Sequence, residues 1–136
     1  MSSTLLTTIE NLKAPPATAD LSFAGARMVA SFRLLALCSK AGRDPLLELT
    51  HRHSCLTTAK AFLDLADAIG ACWPENVLVA RPCCPVLTHD EVTIAAMVDA
   101  ARAGDRTGFG AQIDGFVRRE QHERLYACAT AYAALL

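Results

Sequence analysis

The chain has 136 residues, a length typical of one domain, and a formal net charge of -1. Hydrophobic residues make up 52% of it and aromatic residues only 6%; much of the hydrophobic excess is alanine, the strongest helix former. Nucleic-acid-binding proteins usually carry a strongly basic face, so this charge argues against a nucleic-acid partner. The abundance of alanine and the scarcity of aromatic residues predict an all-α protein.

The sequence also carries no targeting or membrane signal. Its first residues lack the positive and apolar regions of a secretory signal, and no run approaches the roughly 18 apolar residues of a membrane span. We therefore expect a cytoplasmic protein with no membrane span, whose six cysteines are mostly reduced. The cysteines show neither C-x-x-C pairs nor zinc-finger spacing.

The first predicted elements are a terminal arm and a long helix. Residues 1–19 are polar, and we expect a flexible N-terminal arm ahead of a single helical domain over residues 20–136. Asp20 is a candidate N-cap for a helix that runs to about Lys40, and Gly42 is its candidate C-cap.

A second helix start follows at Asp44-Pro45, with aspartate at the N-cap and proline at the first helical position. Residues 45–72 form either one helix with an irregularity near His53 or two helices, the second capped by Ser54. Trp73-Pro74 ends this region because proline cannot continue a helix.

A short extended segment (about 76–87) is predicted between the third and fourth helices. Val77-Leu78-Val79 is its strand-like part and has no partner strand elsewhere in the sequence. It either lies extended in a groove or pairs with its own copy in a dimer. Pro82 and Pro85 fix φ and lack N–H groups, so the rest of the segment should be stiff.

The fourth helix has a well-defined predicted start. Thr88-His89-Asp90-Glu91 is a capping box, in which the Thr88 hydroxyl accepts from the Glu91 N–H and Glu91 reaches back to the Thr88 N–H. Leu87 and Val92 are placed to form a hydrophobic staple. The residues with predicted structural roles are Pro82, Pro85, Leu87, Thr88, Glu91 and Val92.

Two apolar helices complete the chain. The fourth helix is predicted over 89–103, and a fifth runs from Asp105 or Thr107 nearly to Leu136. The fold class is thus an all-α, four- to five-helix bundle. The apolar surfaces of these last two helices, together with the Val77–Val79 edge, predict a homo-oligomer or another protein partner.

The central part of the chain resembles a family of short bacterial proteins carrying a domain of unknown function. The resemblance lies in Val77–Glu91, where a hydrophobic strand is followed by Pro82-Cys83-Cys84-Pro85 and then by Thr88-x-Asp90-Glu91. The similarity extends loosely over residues 27–134, and the chain departs from the family pattern at His51-Arg52-His53. The resemblance implies a helix–extended linker–helix layout and no activity.

Few residues suggest chemistry. Cys83, Cys84 and His89 are weak metal-ligand candidates, and Cys83 or Cys84 is expected to be the most reactive thiol because it precedes a helix N-terminus. No P-loop, G-x-G-x-x-G or G-x-S-x-G motif is present, so we assign no catalytic residue and expect no cofactor.

Two functions remain. The sequence favours a non-enzymatic small helical protein that acts by association, as a homodimer or as an accessory or regulatory subunit. The alternative is a thiol- or metal-dependent sensor centred on the Cys83-Cys84 linker.

Overall fold

The structure, a computed structural model, describes residues 15–136. A 3-10 turn at Thr18–Asp20 precedes six α-helices: α1 (Phe23–Ala41), α2 (Pro45–His53), α3 (Leu56–Cys72), α4 (His89–Arg102), α5 (Arg106–Ile113) and α6 (Arg119–Ala133). The described part of the chain contains no strand, so the all-α fold class is confirmed. None of its helices is long and apolar enough to cross a lipid bilayer.

Helix α4 occupies the centre of the bundle. It packs against α1, α5 and α6, while α3 packs against both α2 and α6. Phe62 on α3 holds the core together through edge-on aromatic contacts, with ring centroids 5.2 Å from Phe32 and 5.7 Å from Tyr132. The largest fully buried apolar side chains come from all six helices and include Met28, Leu49, Leu65, Ile94, Phe109 and Leu125.

The number of helices differs from the prediction. The single long helix expected from Asp105 or Thr107 nearly to Leu136 is two helices, α5 and α6, separated by residues 114–118. Gly115 lies in this break with φ of 95°, a conformation that side-chain-bearing residues rarely adopt. Asp105 is the N-cap of α5, as one of the two predicted starts, because its carboxylate accepts from the Gly108 N–H at 2.9 Å. Over residues 15–136 the bundle therefore has six helices rather than four or five.

Residues 45–72 form two helices. Ser54 adopts a left-handed conformation (φ 54°) and ends α2, and the extended Cys55 then begins α3. Ser54 is thus a C-cap, and the expectation that it caps the following helix is wrong. Asp44 is the N-cap of α2, as predicted, with its carboxylate accepting from the Leu46 N–H at 3.0 Å.

The start of α1 also differs from the prediction. Asp20 belongs to the 3-10 turn, and the N-cap of α1 is Ser22, whose hydroxyl accepts from the Gly25 N–H at 2.9 Å. A serine two residues closer to the helix has the better geometry to reach an N3 backbone group. Gly42 ends the helix in a left-handed conformation (φ 66°), as predicted.

The chain before α1 contacts the connector between α3 and α4. Ala17 and Val86 form an antiparallel bridge, in which the Thr18 N–H donates to the Pro85 carbonyl and the Leu87 N–H donates to the Pro16 carbonyl, both at 2.9 Å. For residues 1–14, the prediction of a flexible arm lies outside the described residues.

Candidate association site at the extended segment

A buried ion pair between α1 and α4 lies beneath the connector. Arg33 Nε donates to Glu91 Oε2 at 2.7 Å, and Arg33 Nη2 donates to Glu91 Oε1 at 3.0 Å. The two side chains are only 3% and 1% exposed. The planar guanidinium matches the carboxylate at two points, which is the strong geometry for such a pair.

Arg33 also organises the proline-rich part of the connector. Its Nη1 donates to the Cys84 carbonyl at 2.7 Å and to the Pro82 carbonyl at 3.4 Å, and its Nη2 donates to the Val86 carbonyl at 3.1 Å. Pro82 and Pro85 prevent this stretch from forming a helix, so its carbonyls need donors from elsewhere. One buried guanidinium supplies them, and the connector curves around it.

The environment keeps both partners of the pair charged. Burial acts to raise the pKa of the Glu91 carboxyl, but hydrogen bonds from Arg33 and from the Thr88 and Ala80 N–H groups outweigh it and lower that pKa. The hydrogen bond to Glu91 raises the pKa of Arg33, although burial opposes the shift. The pair is therefore fully ionised at neutral pH.

Thr88 and Glu91 form the capping box of α4 around this pair. The Thr88 hydroxyl accepts from the Glu91 N–H at 3.1 Å, and Glu91 Oε1 accepts from the Thr88 N–H at 2.9 Å. Leu87 and Val92 pack in one small apolar cluster with Val29 and Ala95. These contacts fix the direction in which the chain enters α4.

The N-terminal residues of α4 also hold one edge of the extended segment. Asp90 Oδ2 accepts from the Leu78 N–H at 2.7 Å, and the Thr88 hydroxyl donates to the Leu78 carbonyl at 2.7 Å. Glu91 Oε2 accepts from the Ala80 N–H at 3.3 Å. Three side chains thus take the place that a neighbouring strand would occupy.

The opposite edge of the segment is free. Successive residues of an extended chain point their backbone groups to opposite sides, so those of Val77 and Val79 face away from α4. They make no hydrogen bond to any atom of residues 15–136. The Val77 and Val79 side chains pack against the core, while the intervening Leu78 is 67% exposed. Such an edge is a template for pairing with another chain.

An acidic groove of about 580 Å³ lies on one side of the segment. Its aromatic wall is Trp73 and Phe116, whose ring centroids are 5.1 Å apart. Trp73 Nε1 donates to Asp90 Oδ1 at 3.3 Å, which fixes the indole against α4. Glu75 and Asp90 are its charged carboxylates, and the lining contains no lysine or arginine.

A basic groove of about 300 Å³ lies between the segment and α1. Residues 77–82 form one wall, and the other includes Leu37 and Lys40 of α1. Arg81 and Lys40 are the exposed charged groups of this groove, which contains no carboxylate. The extended segment therefore separates two grooves of opposite charge.

The structure does not bring the metal-ligand candidates together. Cys83 and Cys84 line a third groove, of about 190 Å³, next to Arg33, whereas His89 lines the acidic groove. No cluster of three or more potential metal ligands occurs among residues 15–136. All six cysteines are free thiols; Cys83 is exposed and Cys84 is half-buried, where its sulfur donates to the Val86 carbonyl at 3.4 Å.

The apolar surfaces of the last helices are not available for association. On α4, Ile94, Met97 and Val98 are 1% exposed each and belong to the core of the chain itself. On α5 and α6 the predicted stripe is likewise buried, as at Phe109 and Leu125. Those surfaces are used inside the bundle because α4 is its central helix, and this part of the interface prediction is wrong.

Two residues that shape the site, Arg33 and Asp90, are not among those with a role predicted from the sequence. Arg33 stands next to Phe32 and within about one turn of Val29 in the apolar stripe of α1, where a charged residue indicates a buried partner. For Asp90 the sequence indicates only a favourable charge at a helix start. Its contacts with Trp73 and Leu78 depend on how the connector folds back over α4.

A second buried polar cluster lies between α1, α2 and α6. His53 is 8% exposed, with Nε2 3.0 Å from the Ser31 hydroxyl and Nδ1 3.1 Å from Arg27 Nη2. Its ring meets that of Tyr132 edge-on, with centroids 5.8 Å apart. Burial, and then the positive charges of Arg27 and Arg52, lower the pKa of His53. The imidazole is therefore neutral at neutral pH and serves the packing of α2.

The chain matches no family model, no curated protein and no solved structure. The resemblance of Val77–Glu91 to a family of short bacterial proteins consequently stays a prediction.

Proposed function

We propose that this protein is a non-enzymatic helical module that acts by association, and that its partner is a second copy of the same chain. The observation that carries the proposal is the free edge at Val77 and Val79, whose backbone groups find no partner within residues 15–136. On the other edge, side chains at the start of α4 engage the Leu78 N–H, the Leu78 carbonyl and the Ala80 N–H, so the segment is already held in place. A pre-organised edge binds another strand at low entropic cost.

The side chains around this edge support the same function. Leu78 projects from the segment, is 67% exposed and lies at the centre of the free edge, where a second copy would cover it. Edges that must stay unpaired usually carry charges or prolines at such positions. We also propose a cytoplasmic location, which the six free thiols support because that compartment keeps cysteines reduced.

A charge at position 78 tests the proposal. Leu78→Lys places an ammonium group at the centre of the edge, and we expect it to convert a dimer into a monomer in sedimentation velocity runs at tens of micromolar. Leu47→Lys is the matched control, because Leu47 is 72% exposed on α2, outside the grooves that flank the segment. The control should remain dimeric.

Amide hydrogen exchange gives a second readout. We expect the Leu78 and Ala80 N–H groups to be protected at every protein concentration, because α4 side chains accept from them. The Val77 and Val79 N–H groups should gain protection only as the concentration rises. A wild-type protein that sediments as a monomer, with Val77 and Val79 unprotected throughout, would refute homodimerisation.

A further inference from the structure

Two oppositely charged residues flank residues 77–80, the part of the extended segment that has the free edge. Glu75 precedes it at the acidic groove, and Arg81 follows it at the basic groove. Both are exposed, and neither forms an ion pair with another residue of 15–136. Each therefore has a charge available for a partner at its own end of the free edge.

The direction of the backbone groups limits how two copies can pair. In an antiparallel pair, hydrogen bonds are exchanged between residues whose N–H and C=O groups face the partner. Here those residues are Val77 and Val79, because the Leu78 groups are taken by Asp90 and Thr88. A two-fold axis at Leu78 places Val77 opposite the partner's Val79. The N–H and C=O groups of Val77 and Val79 in each copy then all form hydrogen bonds with the other copy.

The same axis brings the flanking charges together. With Leu78 opposite the partner's Leu78, Glu75 of each copy lies opposite the partner's Arg81. Centring the pair on Val77 would instead set Arg81 against the partner's Trp73, and centring it on Val79 would set Arg81 against the partner's Val77. Among these registers, only the Leu78-centred one gives opposite charges facing each other.

We propose that two copies pair in antiparallel register about Leu78 and exchange two Glu75–Arg81 ion pairs, an inference that rests on the association function proposed above. The two exposed Leu78 side chains then face each other as a non-hydrogen-bonded pair, the closer of the two antiparallel arrangements. The partner's Glu75 adds a carboxylate beside Lys40 and Arg81 in the basic groove, and the partner's Arg81 reaches the acidic groove.

Charge reversal with mixing tests this register. The Glu75→Arg homodimer would set two guanidinium groups against each other at both ends of the edge, and the Arg81→Glu homodimer would set two carboxylates against each other there. We expect each single variant to dimerise about tenfold more weakly than wild type, because two attractive pairs become repulsive. An equimolar mixture of the two variants also allows a heterodimer that contains one copy of each variant.

The mixture has a defined expected result. In the heterodimer one end pairs the arginine introduced by Glu75→Arg with the glutamate introduced by Arg81→Glu, and the other end pairs the native Arg81 of the first variant with the native Glu75 of the second. Both pairs are again opposite in sign, so the affinity of the heterodimer should return close to that of wild type.

The control separates this register from general charge effects. Lys60→Glu changes the net charge as much as Arg81→Glu does, and Lys60 is exposed on α3 with no ion pair within residues 15–136. Its dimer affinity should stay within about twofold of wild type. Circular dichroism melting of every variant confirms that the bundle is intact.

The outcomes distinguish the register from the association function. Single variants that dimerise as tightly as wild type would overturn the register and leave the homodimer standing. Weakened single variants that fail to form a heterodimer on mixing would also overturn it. A monomeric wild-type protein would overturn the homodimer and the register together.

Discussion

Arg33 of α1 and Glu91 of α4 lie 58 positions apart in the sequence and meet as a two-point ion pair, with Nε–Oε2 at 2.7 Å and Nη2–Oε1 at 3.0 Å. The same guanidinium donates to the Cys84 and Val86 carbonyls, and the same carboxylate accepts from the Ala80 and Thr88 N–H groups. One pair therefore ties two helices and the connector together.

Replacing the planar guanidinium group of Arg33 by another charged group should destabilise the whole protein. In Arg33→Lys a single ammonium group cannot reproduce the fork that serves Glu91 and the connector carbonyls, so buried acceptors are left unsatisfied. We expect a loss of about 3–5 kcal/mol in the free energy of unfolding, measured by urea denaturation. Arg43→Lys is the control, because Arg43 pairs with Glu48 on the surface and should change stability by less than about 0.5 kcal/mol. Equal effects of the two substitutions would contradict the role of Arg33.

Thr88 should affect both the helix start and the extended segment. Thr88→Ala removes the acceptor for the Glu91 N–H and the donor to the Leu78 carbonyl, and we expect it to cost about 1–2 kcal/mol. Thr88→Ser retains the hydroxyl and should recover most of the loss. Hydrogen exchange in Thr88→Ala should also speed up at Leu78. If Thr88→Ala lowers the stability but leaves hydrogen exchange at Leu78 unchanged, the Thr88 hydroxyl acts only as the N-cap of α4.

His53 should make stability depend on pH. Its pKa is lowered in the folded state, so the unfolded chain binds the proton first, and stability rises with pH between the folded pKa and the unfolded value of about 6.5. The stabilisation that His53 contributes is fully present above about pH 6.5 and declines as the pH falls below that value. Denaturant titrations between about pH 8 and about pH 5 measure this decline.

Paired glutamine substitutions test the assignment to His53. We expect His53→Gln to flatten the decline over that range, because glutamine carries no titratable proton. His51→Gln alters an exposed residue of the same helix and should leave the decline unchanged. If the decline persists in His53→Gln, another group is responsible.

The most reactive thiol should be Cys55 rather than Cys83 or Cys84. Cys55 is exposed at the N-cap of α3, where the Thr58 hydroxyl and then the Thr58 and Thr57 N–H groups lower its pKa. The thiolate is the nucleophile, so we expect Cys55 to react first with iodoacetamide under native conditions, followed by mass spectrometry of the peptides. Cys55→Ser should remove the fast phase. Faster labelling of Cys83 or Cys84 would instead support the thiol-sensor alternative.

Predictability differed between the parts of the fold. The helix starts at Asp44 and Thr88 and the helix end at Gly42 were readable because each depends on groups only a few residues apart in the chain. The break between α5 and α6 was not, because apolar residues continue at helical spacing through Ile113 and Val117. Whether Gly115 interrupts that pattern depends on how the flanking turns pack.

The candidate site was predicted only in outline. The extended course of residues 76–80 agrees with the prediction, but residues 81–84 form a turn in which the Cys84 N–H donates to the Arg81 carbonyl at 3.0 Å, so the prediction of an extended stretch through residue 87 is wrong there. The free edge of the segment did not follow from the sequence, because that requires knowing which backbone groups α4 engages. The grouping of Cys83, Cys84 and His89 failed because the connector turns its cysteines and His89 into different grooves.

By itself the sequence determined the helical class, most helix ends and the stiff entry into α4, since composition, proline geometry and capping act over a few residues. Only the tertiary structure decided that Arg33 meets Glu91, that α4 fills the centre of the bundle, and that within residues 15–136 Val77 and Val79 keep a free edge. These features depend on contacts between segments far apart in the chain. Local propensities do not specify which distant side chain meets which, because that choice is made by the packing of the whole core.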